Sequence, residues 1–133
     1  PMAMAAGSAV IESVTVENIP ANAAKMGASL SEHLRALQHI YPHIGDVRGR
    51  GLMLGVEIVN PDGALDILGH PPASGALAAS IRRECLTRGL IIEVGGRHSS
   101  VVRFLPPLII SPAQIDEVAS IFGRAVAAAI NAS

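Results

Sequence analysis

The apolar positions of this chain fall first into a helical rhythm and later into a strand rhythm. Residues 3 to 17 set Val10, Ile11 and Val14 at i, i+1 and i+4 among alanines, which predicts a helix. Ala3, Ala5, Ala6, Gly7, Ser8 and Ala9 make it small on every side, so it buries little by itself and points to a partner surface outside the chain. Pro20 breaks that helix and suits the first turn of the next, because it lacks an N–H and has its φ already set. The second helix, 20 to 40, has its stripe at Ala23, Met26, Gly27, Leu30, Leu34, Leu37 and Tyr41. Lys25, Glu32, Arg35 and Gln38 make the opposite face, and Pro42 stops the helix.

Beyond Pro42 the period shortens. A glycine-punctuated stretch leads into a strand at 52–59, with Leu52, Leu54, Val56 and Ile58 on one face and Gly55 and Glu57 on the other. Asn60-Pro61-Asp62-Gly63 is a turn, and 64–72 reads as an irregular loop. A helix at 74–88 turns Leu77, Ala78, Ile81, Cys85 and Leu86 inward and ends at Gly89. Residues 90–94 and 101–105 read as two strands of a hairpin around a turn at 95–100. Ser111, Pro112 and Gln114 spell a capping box for a last helix, striped by Ile115, Val118, Ala119, Phe122, Ala125, Val126 and Ala129. The expected fold is α+β: a small, mostly antiparallel sheet with helices packed on one face.

Composition narrows the function more than the fold. The net charge is −1, which argues against a partner held by neutralising phosphates. Tyr41, Phe104 and Phe122 are the only aromatic residues, too few for a stacking platform. One cysteine, Cys85, excludes an intramolecular disulfide framework and a Cys-rich zinc site, and fits the cytoplasm. His39 and His43 stand at i, i+4, but Pro42 intervenes and no third ligand is evident. Cys85 reads as a core residue, and His98 beside Ser99 and Ser100 lacks the oriented base and oxyanion hole of a nucleophilic site. The glycines at 49, 51 and 55 run into a strand rather than a helix, unlike a dinucleotide fingerprint. Arg103 stands apart, a lone guanidinium in the apolar run VVRFLPPL. It is either an edge-strand arginine pointing to water or a receptor whose planar fork matches a carboxylate.

Three segments carry a resemblance. IGDVRGRGLMLGVE at 44–57 and VRFLPPLII at 102–110 resemble motifs of the small domain of class-III pyridoxal-phosphate aminotransferases. The opening PMAMAAG resembles the alanine-rich helix that leads into that domain. Within the family, GLIIEVGGRH at 89–98 resembles the branch that makes 2,4-diaminobutyrate from aspartate 4-semialdehyde and glutamate. The likeness covers essentially the whole chain in order. It implies a C-terminal α+β domain at 44–133, preceded at 1–43 by a kinked helical segment from a large domain, in a cytoplasmic homodimer that uses amino-acid and 2-oxo-acid substrates. It implies pyridoxal 5'-phosphate in the full-length enzyme and a substrate-carboxylate role for Arg103. The single lysine, Lys25, lies on a polar helix face, so the cofactor lysine is expected before Pro1. This chain alone is expected to be inactive, with no catalytic, cofactor or metal residues of its own. An ornithine or 4-aminobutyrate transaminase, and a non-catalytic ligand-binding α+β module, are the alternative readings.

Overall fold

The computed structural model describes residues 2–132; Pro1, which opens the first motif and the 1–43 segment, and Ser133 lie outside the described residues. Two helices, α1 (Met2–Val16) and α2 (Ile19–Ile40), come first, joined at Asn18, which takes a left-handed conformation (φ 50°). Then come β1 (Ile44–Arg50), β2 (Met53–Ile58), α3 (Gly75–Thr87), β3 (Glu93–Gly95), β4 (Val101–Phe104) and α4 (Pro112–Asn131). The strands form one antiparallel sheet in the order β1-β2-β4-β3, with α3 crossing between its two hairpins.

Strand alternation gives the sheet one apolar and one polar face. Val47, Leu54, Val56, Ile58, Val102 and Phe104 turn inward and are buried. They meet Met26, Leu30 and Leu34 of α2, Leu77, Ala78, Ile81 and Cys85 of α3, and Ile115, Phe122, Ala125, Val126 and Ala129 of α4 in one core. Phe104 and Phe122 pack edge to face with ring centroids 5.1 Å apart, a geometry worth about 0.5–1.5 kcal/mol beyond the buried area. The expected α+β fold is therefore the one found.

Several local expectations change. The stretch after Pro42 is itself a strand, β1. Its two buried residues, Ile44 and Val47, break the two-residue period because a register shift between Ile44 and Asp46 inserts an extra residue. The strand expected at 90–94 starts only at Glu93. Gly89 (φ 86°) closes α3 as expected, with its N–H bonded to the Leu86 carbonyl and the Leu90 N–H to the Cys85 carbonyl. That paired closure ties Leu90 back to the helix. Leu86 is 62% exposed rather than inward, since it lies one residue beyond the buried stripe. Ile121 joins the buried face of α4 unannounced. The turn before β4 holds a single 3-10 turn at Arg97–Ser99, with His98 and Ser99 at positive φ.

Cys85 is fully buried, and burial pushes its thiol up to about 12, as suits an inert core residue. At the start of α4 the capping box forms: Ser111 Oγ accepts the Gln114 N–H, and Gln114 Oε1 accepts the Ser111 N–H at 2.9 Å. Ser111→Ala is expected to cost about 1 kcal/mol, read as a lower urea midpoint with faster hydrogen exchange in the first turn of α4. An unchanged midpoint would mean that the box contributes nothing.

Candidate functional site

The polar face of the sheet is where chemistry is available. Strand register draws two rows across it. Arg48, Gly55, Arg103 and Glu93 stand side by side on β1, β2, β4 and β3. Asp46, Glu57, Val101 and Gly95 make the next row. Period-two alternation puts both rows on the side away from the helices.

The two arginines differ in what they have left to give. Arg48 Nη1 donates to Asp46 Oδ2 at 2.8 Å and to Glu57 Oε2 at 2.7 Å. Those two carboxylates raise the Arg48 pKa above its ordinary value, so this charge is already matched. Arg103 has only a loose ion pair, Nη2 to Glu93 Oε2 at 3.7 Å, and its side chain is 49% exposed. Among the described residues its guanidinium makes no hydrogen bond, so its donor fork is open to a ligand. β4 lies inside the sheet, so Arg103 is not on an edge strand, although its side chain still reaches solvent.

The surroundings fix where Arg103 sits. Beyond Phe104 the chain leaves the sheet through Pro106 and Pro107, and Asn22 Nδ2 on α2 donates to the carbonyls of Leu108 (2.8 Å) and Ile110 (3.2 Å). A groove of about 520 Å³ opens at this end of β4, walled by Ile91, Glu93, Arg103, Leu105 and Pro107. Its apolar rim is open, with Ile91 and Leu105 exposed. The sequence picks out Arg103 but not Glu93, which register sets opposite it, nor Gly95, two residues along the same face of β3. Lys25 is exposed on α2, outside any desolvated pocket that would activate it. No group of three metal-ligating side chains occurs among the described residues. None of the described helices is long and apolar enough to cross a membrane.

The family model for class-III aminotransferases matches residues 1–126. A diaminobutyrate–2-oxoglutarate aminotransferase of Rhizobium meliloti (strain 1021) is 48% identical over 93% of this chain and 26% of its own length. Its namesake from Haemophilus influenzae is 39% identical over 97% of this chain and 28% of its own length. Among solved structures, a phospholyase from Arthrobacter in complex with phosphoethanolamine superposes with a TM-score of 0.84 at 28% identity, over 92% of this chain and 28% of that one. The chain thus spans about a quarter of the length of these proteins.

Proposed function

The chain belongs to the class-III aminotransferase family, and from that premise we propose that it serves a pyridoxal-phosphate-dependent transaminase. That enzyme moves an amino group between glutamate/2-oxoglutarate and aspartate 4-semialdehyde/2,4-diaminobutyrate. The likeness to two diaminobutyrate–2-oxoglutarate aminotransferases along nearly the whole chain carries the choice of substrates. The cofactor, when bound, supplies the electron sink for the transfer. The described residues of this chain do not fit that group, because the lone lysine is exposed on α2. Holding it falls to the preceding large domain, and the part of this chain is to receive and orient substrate.

Arg103 performs that part. Its fork is unspent, it faces away from the core, and a carboxylate can take two parallel N–H donors from it. α1 supports the domain arrangement in its own way. No residue of α1 is buried, and Met2, Met4, Val10, Ile11 and Val16 are all exposed. Apolar surface of that kind marks a packing partner, here the large domain of the same protein, within a cytoplasmic homodimer.

The test is turnover by the full-length protein supplied with pyridoxal phosphate. Glutamate and aspartate 4-semialdehyde are expected to give 2,4-diaminobutyrate and 2-oxoglutarate in equal amounts. Ornithine is one methylene longer than diaminobutyrate, a difference worth about 10–200-fold in a fitted pocket. In the reverse direction diaminobutyrate should therefore exceed ornithine by at least about tenfold in kcat/KM. Faster turnover of ornithine or 4-aminobutyrate would move the assignment to those substrates.

A further inference from the structure

We propose that Gly95 is a positioning residue for carboxylate recognition: it is the bare floor on which the Arg103 guanidinium lies. This rests on the reading of Arg103 as the carboxylate receptor. A Cβ built on Gly95 would stand 2.3 Å from Arg103 Nη2, 2.8 Å from Cζ and 3.1 Å from Nε. Those are the three nearest atoms, so the planar end of Arg103 covers the β3 backbone at this point. Glu93, two residues back on the same face of β3, faces the same Nη2 from 3.7 Å. Floor and counter-charge both lie on the β3 side of Arg103, while the space over Gly55 on β2 is taken by Val101, whose Cγ1 would be 3.1 Å from a Cβ there.

The reason for glycine here is the guanidinium and not the backbone. Gly96 next door has φ 73°, a conformation that itself favours glycine, but Gly95 is not among the positive-φ residues. An alanine at 95 keeps the strand conformation and meets only the far end of a flexible side chain. The fold is therefore spared and the fork is displaced. Relieving a 2.3 Å contact needs a shift of about 1 Å, a misplacement that can cost up to about 10²-fold.

The experiment is the glutamate half-reaction of the full-length holoenzyme in four forms: wild type, Gly95→Ala, Arg103→Ala and the double variant. Gly95→Ala is expected to raise the KM for glutamate about tenfold with kcat within about twofold, the pattern of lost uniform binding. Its melting temperature should stay within about 2 °C of wild type. In the Arg103→Ala background the same alanine should change the KM by less than about twofold, because no guanidinium remains for it to lift. Two results would overturn the floor while leaving the receptor in place. One is a Gly95→Ala enzyme with unchanged KM beside a crippled Arg103→Ala. The other is an equal Gly95→Ala effect in both backgrounds, which would mark a general disturbance of β3. An Arg103→Ala enzyme that handles glutamate normally would remove the receptor, and the floor with it.

Discussion

Arg103→Ala in the full-length protein is expected to slow the glutamate half-reaction by roughly 30-fold or more, since losing one partner of a hydrogen-bonded charge pair costs about 2–5 kcal/mol. The effect should be this large because the neighbouring cation in its row is already engaged. Arg48 is the neighbouring cation in the same row, but Asp46 and Glu57 already occupy it at 2.8 and 2.7 Å. Arg103→Lys should rescue only in part: an ammonium carries charge without the two-pronged geometry. Cofactor content is measured first, so that a loss of pyridoxal phosphate is not mistaken for a loss of substrate binding. If Arg103→Ala stays within about twofold of wild type, the change is under about 0.5 kcal/mol. Arg103 is then an ordinary surface arginine.

That prediction could be framed from the sequence, because a lone arginine in VVRFLPPL is conspicuous whatever the register. Its surroundings could not. A symmetric hairpin closed by a turn at 95–100 would set 94 opposite 101 and Glu93 opposite Val102, which puts Glu93 and Arg103 on different faces. The observed register pairs Glu93 with Arg103 and Gly95 with Val101. The difference is one residue, and in a strand one residue flips every side chain. It arises where His98 and Ser99 take positive φ, a turn geometry that no residue preference announces. β1 was hidden for a related reason: its bulge puts Ile44 and Val47 three apart, so the run does not alternate. The helices were legible because α2 and α4 carry long apolar stripes with proline or a capping box at their starts. What a sequence shows least is contact between a backbone and something remote. That is the common character of Gly95 under Arg103 and of Gly27 in α2.

Gly27→Ala is expected to destabilise the protein by about 2–3 kcal/mol, although alanine is the better helix former by up to about 1 kcal/mol. A Cβ at Gly27 would lie 2.1 Å from the carbonyl oxygen of Gly51, 2.2 Å from its carbonyl carbon and 2.6 Å from its Cα. All three atoms are backbone, so no side chain can swing aside. Gly51 stands at φ 55° in the two-residue turn between Arg50 and Met53, which leaves the turn little freedom to retreat. The alternative is for α2 to lift off the hairpin, and Met26, Leu30 and Leu34 oppose that because they are all in the core. Overpacking against backbone therefore outweighs helix propensity, and the sign of the change decides between them. Gly123→Ala in α4 is the matched control. Its nearest neighbour is the tip of Leu37 at 3.1 Å, which can turn away. That variant should stay within about 1 kcal/mol of wild type. Urea unfolding followed by hydrogen exchange across α2 and the β1–β2 turn provides the measurement. A Gly27→Ala protein as stable as wild type, with those amides equally protected, would show that α2 does not rest on the Gly51 carbonyl.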